Sequence, residues 1–217
     1  MNPEGQIERL AGDSRSELAA ACRMVIGELA SSTAQSEAFA QARDLVQDAV
    51  AILAAADHGR AYDGGEGSLA DYQEHIFIDH SPLVGPLNPL AAPIVVSFDG
   101  NGIVGDVTFG AAYEGPPGCV HGGFVAAGFD EILGIAQAMS GKPGMTARLT
   151  VNYRSPSPLP QPLRFFGGID RIDGRNIFTK GELRTVTDDR LCAEAEGLFI
   201  SMNPEFFQRM VSDRPEP

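Results

Sequence analysis

Basic residues are scarce in this chain. Against 29 Asp and Glu there are 16 Lys and Arg, and the formal net charge is −13 over 217 residues. Nucleic acid is bound largely through basic contacts to phosphate, and anionic membrane surfaces attract polybasic segments, so the deficit argues against both partners. Long apolar runs are missing too. No stretch approaches the roughly 20 consecutive apolar residues of a membrane-crossing helix. The opening residues, Met1-Asn2-Pro3-Glu4-Gly5, have neither the basic start nor the apolar centre of a secretory signal, and they lack the arginines of a transit peptide. Cysteine is rare. Cys22, Cys119 and Cys192 stand far apart, odd in number and without metal-ligand spacing, which fits reduced thiols in a cytoplasmic protein. No repeat of 20–50 residues is visible. The remaining composition is that of an ordinary soluble globular protein, long enough for one core with an appendage or for two small domains.

The charge is uneven. Residues 1–90 hold 14 acids and 5 Lys or Arg, and residues 91–217 hold 15 acids and 11 Lys or Arg. An anionic ligand is better received by the C-terminal part. Ser14-x-x-Glu17 reads as a capping box, followed by Leu18, Cys22, Val25 and Leu29 at helical spacing. After Ser31-Ser32-Thr33 a second helix is expected over about 34–55, with Phe39, Val46, Ala49 and Leu53 on one face. The two helices form an acidic hairpin, read either as a dimerisation arm or lid over a substrate channel, or as an extension covering a sheet edge. Residues 57–72 are Gly-rich and charged, a linker, and a domain boundary is set at 72/73. Residues 73–93 are extended, with Pro82, Pro86, Pro89 and Pro93. His75 and His80 lie here, but no third metal ligand accompanies them, and no metal or other cofactor is expected.

From Ile94 the pattern changes to strands. Ile94–Phe98 and about 103–111 flank a turn at Asp99-Gly100-Asn101-Gly102. Later strands are expected over Met145–Arg154, Leu163–Ile172, Asn176–Thr187 and Cys192–Met202, with a short helix after Asn203. Along the first of these, Thr146, Arg148, Thr150 and Asn152 alternate against Met145, Ala147, Leu149, Val151 and Tyr153.

Between the two groups of strands lies the stretch on which the rest turns. Glu114-Gly115-Pro116-Pro117-Gly118-Cys119 is too rich in Gly and Pro for helix or central strand. It leads through Val120-His121-Gly122-Gly123 into a helix ending near Ser140-Gly141. His121-Gly122-Gly123 therefore sits where backbone N–H groups and the positive end of a helix dipole are exposed. Asp130 follows nine residues after His121, inside the helix. One long helix among six strands has one place to go, across the concave face of an antiparallel sheet.

This order, with His-Gly-Gly opening the helix, resembles the hotdog-fold acyl-CoA thioesterases of the PaaI-like group, and among them the mammalian Them-type enzymes. The resemblance covers roughly residues 84–205. It rests on three runs in order: Glu114 to Gly123, Met145 to Tyr153, and Glu196-Gly197-Leu198-Phe199-Ile200. It implies an α+β hotdog fold and hydrolysis of an acyl-CoA thioester, with medium- to long-chain fatty acyl-CoA as the substrate. It implies that Asp130 is the catalytic base or nucleophile. The N–H of Gly122, helped by Gly123, polarises the thioester carbonyl; Thr146 assists the aspartate, and His121 shapes the loop. Related members carry Asn or Gln six residues before the histidine, where this chain has Gly115.

The chemistry is consistent with those residues. A thiolate leaves readily, so the reaction needs a carboxylate near the carbonyl carbon and a donor to the developing oxyanion, which a helix N-terminus supplies. The carboxylate acts on water or attacks directly, and the sequence does not separate these. Nine residues of helix rise about 13 Å, so Asp130 does not reach a thioester held at Gly122 of its own chain. The resemblance implies a homodimer, or a dimer of dimers, in which the two groups come from different subunits. Glu131 is the rival base. Cys119 with His121 is a weaker nucleophile pair without a third member. Arg148 and Arg154, on the strand after the helix, are candidates for the phosphates of coenzyme A. An aryl-CoA thioesterase and a non-catalytic acyl-CoA or acyl-carrier binding module are the alternatives.

Overall fold

The computed structural model describes residues 13–56 and 79–203, except 93, 101 and 143, together with 205 and 209. The linker at 57–72, His75 and most of the helix expected after Asn203 lie outside the described residues. Two helices come first, α1 (Ser14–Ser31) and α2 (Ser36–Ala54). The side chain of Asp13 caps α1, accepting from Arg15 N–H at 3.2 Å. Six strands follow: β1 (Val95–Asp99), β2 (Gly102–Thr108), β3 (Gly144–Tyr153), β4 (Pro162–Asp173), β5 (Asn176–Thr185) and β6 (Leu191–Ser201). A 3-10 turn at Ala111–Tyr113 and the long helix α3 (Gly122–Ala138) lie between β2 and β3.

The strands form one antiparallel sheet in the order β1-β2-β4-β5-β6-β3. The sheet curls round α3, which is the expected hotdog architecture. Helical spacing explains the packing: Val125, Phe129, Ile132, Leu133 and Ala136 fall on one face of α3 and are fully buried. They meet Leu163, Phe165, Ile177 and Leu183 of the sheet. Phe129 and Phe165 contact edge to face, their ring centroids 5.1 Å apart. Each large apolar side chain so buried stabilises the fold by about 1.5–3 kcal/mol. Close seating needs small residues. A Cβ on Gly128 would lie 2.5 Å from Phe165 Cζ, and one on Gly167 would lie 2.8 Å from Ile132 Cγ2.

The order leaves β3 at an edge, paired only with β6. Its burial pattern is mostly exposed, so a row of backbone donors and acceptors faces outward. β3 also departs from the simple alternation expected of it. Its register with β6 shifts between Thr146 and Arg148, a bulge that inserts one residue and resets the parity. Thr146 therefore shares the α3 side with Leu149, Val151 and Tyr153 instead of pointing away with Arg148.

The first helix also differs from expectation. Leu18, Val25 and Leu29 are 40%, 48% and 64% exposed, and Ala19 is the buried residue of α1. α1 docks on the 3-10 turn and on residues 79–92, with small residues and Arg23 inward, instead of covering a sheet edge. Arg23 Nη1 donates to the carbonyl oxygen of Asn88 at 2.9 Å and to that of Pro86 at 3.4 Å. These carbonyls belong to an irregular segment with backbone acceptors to spare, and a long cation reaches them where an aliphatic side chain has no partner.

Candidate active site

The loop before α3 holds itself together through backbone bonds. Gly115 N–H donates to Cys119 O at 2.9 Å, and His121 N–H donates to Tyr113 O at 2.8 Å. Glu114 Oε1 accepts from Gly118 N–H, and Gly118 takes φ +72°, a conformation open to glycine. The same geometry explains Gly115. A Cβ there would lie 2.7 Å from His121 Cα, so the Asn or Gln that related members place here has no room in this chain.

His121 is the N-cap of α3. Its Nδ1 accepts from Gly123 N–H at 3.0 Å. This fixes the tautomer of the neutral ring, with the proton on Nε2, and turns Nδ1 away from a proton-transfer partnership with Cys119. It also engages the Gly123 N–H, the group expected to help Gly122 at the oxyanion. Gly122 N–H has no acceptor among the described residues and stands free at the positive end of the helix. On its other side, Tyr153 Oη donates to the carbonyl oxygen of Gly122 at 2.8 Å. Sequence reasoning did not single out Tyr153. Its one signal was its place on the inward row of β3.

Asp130 is exposed on α3, and Thr146 Oγ1 donates to its Oδ1 at 2.9 Å. The bulge in β3 makes this contact possible. One edge strand thus braces both chemical ends of the helix, Thr146 at Asp130 and Tyr153 at Gly122. The two ends remain about 12 Å apart along the helix, eight residues at 1.5 Å each. A single protomer brings Thr146 to Asp130 and His121 to Gly123, but it does not bring Asp130 to Gly122.

Glu131, the rival carboxylate, has different surroundings. It is half-buried against the segment that precedes β1, and the hydroxyl of Ser81 donates to it. Burial pushes its carboxyl above the usual range, against the opposing effect of the Ser81 bond, and the charge of Asp130 adds to the rise. A half-buried carboxyl already bonded to the Ser81 hydroxyl is poorly placed to activate a water. Ser81 itself is buried and accepts from Leu83 N–H and Val84 N–H.

The two arginines fall elsewhere. Leu149 and Val151 pack toward the core, so Arg148, Asn152 and Arg154 lie on the outer face of β3. Arg154 is ion-paired with Glu194, Nε to Oε2 at 2.6 Å, and lines an outer groove with Lys180 and Glu182. Within one protomer neither arginine joins the Gly122 or Asp130 ends, because the odd-residue shift that turned Thr146 inward turned them outward. Among the described residues no group of three or more His, Cys, Asp or Glu is arranged to hold a metal ion.

The profile of the thioesterase superfamily matches residues 117–193 of this chain. The chain is similar to acyl-coenzyme A thioesterase THEM4 of Xenopus laevis, 38% identical over 95 residues, which is 44% of this chain and 43% of that protein. It is 36% identical over 96 residues to THEM4 of Bos taurus, 44% of this chain and 39% of that protein. The match spans less than half the length of these curated relatives. It superposes with a TM-score of 0.70 on the crystal structure of a thioesterase superfamily protein that is 35% identical. That alignment covers 87% of this chain and 96% of that one.

Proposed function

Because the chain belongs to the thioesterase superfamily, we propose that it hydrolyses acyl-coenzyme A thioesters to free acid and coenzyme A, with medium- and long-chain fatty acyl groups as substrates. One observation carries this reading. A free N–H at Gly122 opens α3, and a carboxylate with its own hydroxyl donor, Asp130 with Thr146, stands farther along the same helix. In the reaction, the thioester oxygen is received by Gly122 N–H and the helix dipole, which stabilise the charge that develops on it. Asp130 either draws a proton from water as the water attacks the carbonyl carbon, or attacks that carbon itself to give an anhydride that water then opens. The carbon–sulfur bond breaks, and coenzyme A leaves as thiolate without needing a strong acid. Thr146 orients the carboxylate, and His121 holds the first turn.

The same reading requires two copies. Asp130 and Gly122 of one protomer are too far apart to meet on one carbonyl group, and β3 is an exposed edge running past both. Antiparallel pairing of two β3 strands about a two-fold axis near Thr150 brings the Thr146 end of one copy toward the Tyr153 end of the other. Asp130 of the first then approaches Gly122 of the second, and a homodimer has two such sites.

The test is release of free coenzyme A from a panel of acetyl- to palmitoyl-CoA and phenylacetyl-CoA, wild type beside Asp130→Asn. We expect turnover of the fatty acyl substrates and a fall of at least about a hundredfold in the variant, the scale of a lost general base. Turnover that survives the substitution removes Asp130 from its role. Binding of every thioester without turnover makes the protein a binding module.

A further inference from the structure

A cavity of about 620 Å³ lies between α1 and the start of α3, within the range of sites that enclose a small ligand. α1 contributes Ala20, Met24 and Gly27, the segment before β1 contributes Leu83 and Leu90, and α3 contributes Phe124 and Ala127. These walls are apolar and unfilled: Met24 and Leu90 are 70% and 69% exposed. Polar groups at the rim are already engaged. Arg23 is held by the carbonyl of Asn88. Burial keeps the Tyr113 phenol above its ordinary value, so it stays neutral, with the Arg23 charge opposing the rise.

The cavity reaches the first turns of α3 at Phe124 and Ala127. Phe124 comes two residues after Gly122, and its ring contacts both His121, centroids 6.4 Å apart, and Tyr113, 4.9 Å apart. One side of this ring therefore faces the helix start and the other faces the cavity. A group anchored at Gly122 N–H has an apolar passage beside Phe124 and Ala127. The lining is mainly apolar, with Arg23, Thr108 and Tyr113 as its polar members, so it suits an alkyl chain better than the phosphates and sugar of coenzyme A.

We infer that the cavity between α1 and α3 receives the alkyl chain of the substrate, and that α1 is the wall that sets how long a chain is accepted. This rests on the hydrolase reading for the identity of the chain's head group. It gives the N-terminal helix a part in substrate choice. The mechanism is burial of methylenes against Met24, Leu83, Leu90 and Phe124, so kcat/KM rises by about three- to fourfold for each methylene that enters.

Gly27 offers a clean perturbation. A Cβ there meets nothing within 4 Å, and glycine is a poor helix former, so Gly27→Phe projects a ring into free space without weakening α1. We expect the ratio of kcat/KM for palmitoyl-CoA to that for acetyl-CoA to fall at least tenfold in the variant, about two methylenes' worth of burial. An unchanged ratio overturns the inference. A second readout stands apart from catalysis: binding of a fluorescent dodecanoic acid derivative, with thermal melting to confirm that both proteins are folded. Binding by wild type that is lost in Gly27→Phe supports the cavity as the alkyl site. It does so even if no thioester is turned over, an outcome that defeats the hydrolase reading alone. Equal binding by both folded proteins, or by neither, overturns the inference.

Discussion

Two inactive variants are expected to restore each other. The first is Asp130→Asn. The second is Gly122→Pro, which deletes the backbone N–H proposed to meet the oxyanion. Proline suits this position. Gly122 is the first residue of α3, where proline is well tolerated. His121 before it has φ −61° and ψ 130°, the extended conformation that a residue preceding proline adopts. A Cβ at Gly122 would come 3.3 Å from Tyr153 Oη, so the phenol must shift by a few tenths of an ångström. Loss of such a donor costs about 2.7–4 kcal/mol in the transition state, or 10²–10³ in kcat. Each homodimer is therefore nearly dead. Co-expressed at equal levels under two affinity tags, the chains assort so that about half the dimers are mixed, and each mixed dimer has one site with both Gly122 and Asp130 intact. Total activity then recovers to about a quarter of wild type, and the doubly purified mixed dimer recovers to about half. The assay is release of free coenzyme A from octanoyl-CoA. If the mixed dimer is no more active than its parents, the two groups do not meet across a subunit boundary. If Gly122→Pro alone keeps full activity, the helix N-terminus is not the oxyanion site.

Three further outcomes follow from the same geometry. Thr146→Val removes the donor to Asp130 and is expected to lower kcat by about 10- to 150-fold, the worth of a hydrogen bond to a charged group. Thr146→Ser should retain most of the activity, and a loss in both variants would mean that the residue packs rather than donates. Gly128→Ala places a methyl 2.5 Å from Phe165 Cζ, an overpacking expected to cost about 1–3 kcal/mol in chemical denaturation. Glu131, raised in the fold by burial despite the Ser81 bond, contributes stability that is present below the unfolded carboxyl range and is lost as pH rises through its raised value. Glu131→Gln should therefore melt higher than wild type at neutral pH, and the gap should close in acid. An equal gap across the pH series would contradict that linkage.

Local signals explain how much of the fold was legible. Hairpins were marked by Asp99-Gly100 and Asp173-Gly174, and in the structure Gly100 and Gly174 both take φ +59°. Val125, Gly128 and Ile132 recur at helical spacing, and in the structure they form part of the buried face of α3. Strand ends moved by a few residues, because pairing partners and not composition decide where a ladder stops. The first helix was read by its large apolar residues, yet it docks through Ala19 and Arg23. A helix chooses its inward face by what lies opposite, and here that is a proline-rich segment offering carbonyl groups.

By itself, the sequence determined the order of elements, the Gly/Pro loop that stops at His121 and opens a helix, and the presence of Asp130 along it. Each depends on residues close in the chain: a glycine that permits a turn, a side chain that caps, a period that matches a helix. Tertiary structure decided which of those groups meet. The bulge at Thr146 and Arg148 reversed the facing of one half of β3, bringing a hydroxyl to Asp130 and turning two arginines away. Strand order left β3 exposed at the edge, and the docking of α1 made a cavity beside the helix. Such outcomes hang on one residue of register and on contacts between segments far apart in the chain, and no local pattern encodes those.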